Sequence, residues 1–158
     1  MDVRVYDLVK SQTIVKLKCI NRFTWLVSPN LDTSEKVVAL IRDLFNPDEM
    51  AEERMWIVAV DTKLRPKAVF ELSHGGYDTT PTPSPNIFVR VLLSGCQRFI
   101  LLHNHPSGDV TPSNLDLDCD IRIKECCNLL GLDLLDNIII GEDGFYYTIG
   151  GEKIKRVK

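Results

Sequence analysis

The sequence lacks the marks of a stapled, secreted or membrane-embedded chain. Its five cysteines are an odd number, two of them adjacent at Cys126 and Cys127, and no C-x-x-C pair occurs. That excludes a disulfide framework and the common paired-cysteine zinc sites. Cys19, Cys96, Cys119, Cys126 and Cys127 read instead as small hydrophobes, as expected in a reducing cytoplasm. No apolar run approaches membrane-spanning length, and the opening Met1-Asp2-Val3-Arg4-Val5 has no apolar core of the signal-peptide kind. An excess of positive charge is also missing, since the net charge is −3. Phosphate neutralisation needs a basic face, so a nucleic-acid partner, although not excluded, has no support from charge. Lys16 and Lys18 near the start and Lys153, Lys155, Arg156 and Lys158 at the finish read as solvated surface and a frayed tail.

What is present fits one globular α/β unit of 158 residues, 44% hydrophobic and 26% charged. Residues 1–30 read as short strands and turns, with Val15, Leu17 and Cys19 alternating with Lys16 and Lys18. Asp32 and Glu35 make a capping box ahead of an apolar stripe, Val37, Val38, Leu40, Ile41, Leu44 and Phe45, which Asn46-Pro47 ends. Residues 47–53 form an acidic connector. Strands are expected over 54–61 and 67–72, a Gly/Pro-rich loop over 73–86, and a helix from Ser84-Pro85 to Ser94. A buried strand follows at 98–102. A long helix then starts at Pro112-Ser113 and runs to Leu130, with Leu115, Cys119, Ile123, Cys126, Cys127 and Leu130 as its buried face. Strands at 132–140 and 144–149 complete a mixed α/β sandwich, with helices flanking a central sheet.

Histidine is scarce, with three in the chain, and two of them stand as His103-Asn104-His105 at the end of a buried strand. Alternation puts both on one face. Pro106 and Gly108 turn the chain at once, and Asp116 falls about one turn into the next helix. Two imidazoles and a carboxylate leave a fourth tetrahedral position for water, the pattern of a catalytic zinc site. A hydrolase also needs a base. Glu71, the only glutamate between Arg54 and Lys124, is the candidate, and Ser113 is the candidate donor to an oxyanion. Each has a plainer reading, Glu71 as a surface carboxylate and Ser113 as a helix N-cap. Neither H-x-E nor P-C-x-x-C occurs, which excludes the zinc base deaminases.

The run from His103 through Pro106, Ser107, Gly108, Pro112 and Ser113 to Asp116 resembles the JAMM motif of the MPN (JAB) metalloproteases, and most closely the RadC-like proteins. The resemblance covers roughly residues 50–150, taking in Glu71 with Gly76, Phe88, Leu92, Leu135-Asp136 and Ile138 to Gly141. It implies a JAB/MPN domain of the cytidine-deaminase-like fold, placed at 31–158, and leaves residues 1–30 unmatched as a strand-rich N-terminal extension. It implies Zn2+ on His103, His105 and Asp116, with Glu71 as acid/base and Ser113 supporting the oxyanion. The implied partner is a peptide or ubiquitin-like protein cut at a peptide or isopeptide bond. The alternative is a DNA-repair-associated protein without protease activity. An HNH nuclease is disfavoured because His103, Asn104 and His105 sit in one short loop, and a metal scaffold because every ligand is present. The sequence departs from the RadC-like pattern at Asn86, Asp120 and Asn137.

Overall fold

A computed structural model of the chain describes residues 1–11, 14–72 and 85–157. The loop expected over 73–86, with Gly76 and Ser84, lies outside these residues apart from Pro85 and Asn86, which open a helix. The elements are β1 (Asp2–Ser11), β2 (Ile14–Thr24), α1 (Ser34–Phe45), a 3-10 turn (Pro47–Glu49), β3 (Met55–Val60), β4 (Pro66–Leu72), α2 (Pro85–Ser94), β5 (Arg98–Asn104), α3 (Asn114–Leu130), β6 (Asp133–Ile140), β7 (Phe145–Thr148) and β8 (Lys153–Arg156). The strands form one mixed sheet in the order β2-β1-β4-β3-β5-β6-β7-β8. The central α/β sheet flanked by helices is the architecture that the residue pattern implied. The strands of residues 2–24 belong to the same sheet, with Val5 of β1 paired to Val69 of β4 in parallel.

The central strands are buried on both faces, which is why they read as nearly continuous apolar runs. Strand alternation divides them cleanly. Trp56, Val58, Val69, Ile100 and Leu102 face α1, packing with Val37, Val38, Leu40 and Ile41. Ile57, Ala59, Phe70, Phe99 and Leu101 face α2 and α3, packing with Ile87, Val91, Cys119, Ile123 and Cys127. This parity decides which side chains can meet at the site.

Three local expectations change. Thr33, not Asp32, caps α1: its hydroxyl accepts from the Lys36 amide at 3.4 Å, because the Asp32 carboxylate is taken by the Lys36 ammonium at 2.6 Å. The basic finish is not a frayed tail, for Lys153–Arg156 pairs with β7 as an edge strand, where lysines discourage further strand addition. α3 is rotated from the expected stripe. Asp116, Cys119, Asp120, Ile123 and Cys127 are buried, while Leu115 and Leu130 are 47% and 46% exposed. The rotation puts two aspartates against the sheet, which only a polar site there can satisfy.

Among the described residues no helix is long and apolar enough to cross a membrane.

Candidate metal centre

β5 and β6 are parallel neighbours joined through α3. Such a unit leaves a crevice at the carboxyl ends of its strands, next to the helix N-terminus. His103 is the penultimate residue of β5 and is 1% exposed. Its parity with Phe99 and Leu101 turns it to the α3 side. His105 follows the strand, its amide held by the Ile140 carbonyl at 2.9 Å, and the turn closes where the Gly108 amide meets the His105 carbonyl at 3.0 Å. The His105 Nδ1 lies 2.7 Å from the Asp109 carbonyl oxygen. A carbonyl only accepts, so Nδ1 carries the proton and Nε2 keeps a lone pair for a metal.

Asp116 enters from α3. It is the third residue of the helix, in a reciprocal cap: the Ser113 amide and hydroxyl both donate to Asp116 Oδ2 at 2.7 Å, and the Asp116 amide donates back to the Ser113 hydroxyl at 3.2 Å. The helix N-terminus adds its positive end to this anchoring. Three separations define the centre: His103 Nε2 to His105 Nε2 at 3.2 Å, His103 Nε2 to Asp116 Oδ1 at 3.3 Å, and His105 Nε2 to Asp116 Oδ2 at 3.6 Å. Tetrahedral zinc with bonds near 2.0–2.1 Å spaces its ligand atoms by about 3.3 Å. The donor set and its spacing therefore fit zinc. Without a metal, the three groups stabilise one another's charge. Burial opposes ionisation of Asp116, but hydrogen bonds from His103, His105 and Ser113 hold its carboxyl far below the usual range. The Asp116 hydrogen bond in turn raises His105 above its ordinary value, against the pull of burial.

A fourth group reaches this cluster, and it is Glu53. Its carboxylate lies 4.0 Å from His103 Nε2, and ligand atoms of Glu53, His103, His105 and Asp116 all fall within 4.8 Å of one another. Glu71 is placed elsewhere. It stands opposite Trp56 on β4 and therefore faces α1, on the other side of the sheet from His103. Its carboxylate pairs with Arg54 at 2.9 Å. β4 is also two strand spacings from β5, roughly 10 Å. Ser113 is in the cluster's anchoring, with its hydroxyl turned onto Asp116.

A family model described as the RadC-like JAB domain matches residues 31–154. The chain belongs to that family. Among curated relatives, a UPF0758 protein of Clostridium beijerinckii is 33% identical over 138 residues, covering 85% of this chain and 60% of its own length. A UPF0758 protein of Coprothermobacter proteolyticus is 40% identical over 103 residues, covering 65% of this chain and 43% of its own. The chain thus spans about half the length of these relatives. The resemblance read from the His103–Asp116 run is borne out at the level of family.

Two of this chain's departures from the RadC-like pattern meet each other. Asp120, 4% exposed, accepts from the Asn137 Nδ2 at 3.3 Å and pairs with the Lys124 ammonium at 2.6 Å. The extra carboxylate one turn below Asp116 is thereby neutralised within the chain and adds no unbalanced charge to the centre. The third departure, Asn86, sits in the first turn of α2, where its carbonyl accepts from Arg90.

The local pattern hides Glu53, because residues 47–53 read as an acidic connector and Glu71 is the glutamate within the strands that follow. Parity held the signal. Met55 is paired with His103 across antiparallel β3 and β5, so a residue two before Met55 shares the face of His103 and lies at its end of the sheet.

Proposed function

We propose that this chain is a zinc-dependent hydrolase that cuts a peptide or isopeptide bond. His103, His105 and Asp116 hold the metal and Glu53 is the general acid/base. The observation that carries this reading is the convergence of two imidazole Nε2 atoms and the Asp116 carboxylate at tetrahedral-zinc spacing, with a second, partly exposed carboxylate, Glu53, alongside. Zinc in that position supplies a Lewis acid and brings the pKa of a water from 15.7 down to about 7.

The chain's own residues do the rest. Glu53, whose side chain is 41% exposed, faces the open side of the cluster. It takes the proton of the attacking water as the C–O bond forms, and delivers it to the amine as the C–N bond breaks. The Asp109 carbonyl holds the Nδ1–H side of His105 and so fixes the ring, leaving its Nε2 lone pair turned toward Asp116 and the metal position. Ser113 holds Asp116. Service to an oxyanion requires its hydroxyl to leave that carboxylate, so in this reading its first task is anchoring.

The family match supports the JAB scaffold; the hydrolase activity and the zinc are the proposal. The test is hydrolysis of a panel of peptides and lysine-linked isopeptides by zinc-loaded protein, alongside Glu53→Gln and a chelator-treated control. Cleavage that both abolish supports the reading. Cleavage indifferent to Glu53→Gln removes Glu53 from its role, and an inert zinc-loaded wild type over the whole panel contradicts the peptidase assignment.

A further inference from the structure

The residue between the two histidines is the less conspicuous part of the motif. Asn104 ends β5 and is 2% exposed. Strand alternation turns its side chain away from His103, toward the segment that leads into β3. There its Oδ1 accepts from the Arg54 amide at 2.7 Å, and its Nδ2 donates to the Glu52 carbonyl at 3.2 Å. Its own amide donates to the Arg54 carbonyl at 3.2 Å. Residues 52 and 54 bracket Glu53. The two side-chain hydrogen bonds therefore clamp the peptide units on either side of it, and the backbone bond ties the next unit to β5.

The clamp answers a structural need. β3 begins only at Met55 and its backbone contact with β5 reaches no further than the Arg54 carbonyl, so Glu53 lies just beyond the strand. A side chain more than a third exposed, carried on an irregular segment, would otherwise sample many positions, and ordering it costs conformational entropy. A buried amide that matches one donor and one acceptor on the bracketing units supplies that order in advance, since an unmatched buried amide is costly.

We propose that Asn104 is a positioning residue for Glu53: it locks segment 52–54 to the end of β5 and so fixes the Glu53 carboxylate over the His103–His105–Asp116 cluster. This rests on the reading of that cluster as a zinc site. Asn104 touches neither metal nor substrate. It acts through Glu53, and its loss is therefore felt at the metal only when Glu53 is present.

The experiment is a double-mutant cycle on zinc affinity, measured by chelator competition on the whole chain. The variants are Asn104→Ala, Glu53→Gln and their combination, with thermal melts to confirm folding. Partners in the shell around bound metal are commonly worth about 10–100-fold in affinity. The expected result is a loss of at least about tenfold for each single variant, with Asn104→Ala adding under about twofold once Glu53→Gln is present, because distinct but coupled groups are non-additive. Amide exchange gives a second readout: the Arg54 N–H is protected in the wild type and released in Asn104→Ala, while the Ile57 and Leu101 amides stay protected. Should Asn104→Ala fold poorly, Asn104→Ser, which keeps a short acceptor for Arg54, serves in the same cycle. Full additivity overturns the proposal, for Asn104 would then be acting through the histidine strand. A zinc affinity unchanged by Asn104→Ala overturns it too. A wild type that binds no zinc removes the zinc reading and this inference with it, whereas a zinc-binding wild type with an additive cycle sinks this inference alone.

Discussion

Ser113→Ala separates anchoring from oxyanion support, and its cost can be worked from the contacts. The hydroxyl caps α3 by accepting from the Asp116 amide and donates to the ionised Asp116 carboxylate at 2.7 Å. An N-cap is worth about 1 kcal/mol, and a hydrogen bond to a charged group about 1.5–3 kcal/mol. The Ser113 amide remains on Asp116 Oδ2 in the variant, so the two figures overlap and a loss of about 2–3 kcal/mol is expected. Urea unfolding of metal-free protein at neutral pH measures it. The charged part has a sign in pH. Asp116 is held below the ordinary carboxyl value in the folded state, so its contribution is present above that ordinary value and is lost as pH falls toward the folded one. The gap between wild type and Ser113→Ala is thus constant from neutral to about pH 4 and narrows below it. Zinc affinity drops by about 10–100-fold, and Ser113→Thr, which keeps the hydroxyl, restores most of both. A Ser113→Ala protein with wild-type stability and wild-type zinc affinity, impaired only in turnover, would refute the anchoring argument in favour of the oxyanion role.

Glu53→Gln should retain zinc at saturating metal while losing turnover by at least about a hundredfold, the usual worth of a general base. Glu71→Gln should leave both unchanged and cost under about 1 kcal/mol in stability, because its pair with Arg54 is partly exposed; steady-state rates and zinc analysis on the two variants distinguish them. Gly141→Ala is expected to destabilise by about 1–3 kcal/mol: a Cβ there would stand 2.4 Å from the Gly108 carbonyl oxygen and 2.5 Å from the Val110 side chain, forcing apart the loop that carries His105. Thermal melts with and without zinc check this, and an unchanged melt in both states would contradict the packing. The raised His105 gives two opposite pH trends. In metal-free protein its protonated form contributes stability that is complete below the unfolded value and fades as pH rises through the folded one, whereas zinc requires the neutral ring and binds more weakly as pH falls through the same range; urea unfolding and zinc titrations across pH 5–8 test the pair.

How much of this was legible in the sequence follows from the range of each interaction. The α/β order, β5 and the His103–His105–Asp116 spacing are local, written in strand alternation, a tight turn and the first turn of a helix. The helix cap at Thr33 was missed because Asp32 had a competing partner one turn away, a choice that residue types alone leave open. The buried face of α3 was offset because its two buried aspartates, Asp116 and Asp120, obey the site and not the apolar pattern. Glu53 was missed for a longer-range reason: it meets His103 only through antiparallel pairing of β3 with β5, across fifty residues of chain. Glu71 looked suitable in one dimension and faces the opposite side of the sheet in three. The mutual pairing of Asp120 and Asn137 is likewise a tertiary fact. Taken singly, each was a departure without a reason.

The most direct test of the central claim is the metal content of purified, zinc-reconstituted protein by elemental analysis, with His103→Ala alongside. The account predicts about one zinc per chain, set by one tetrahedral donor set, and its loss in His103→Ala with the fold intact by circular dichroism. A folded wild type that takes up no zinc, or a His103→Ala protein that holds it as well as the wild type, would contradict the account.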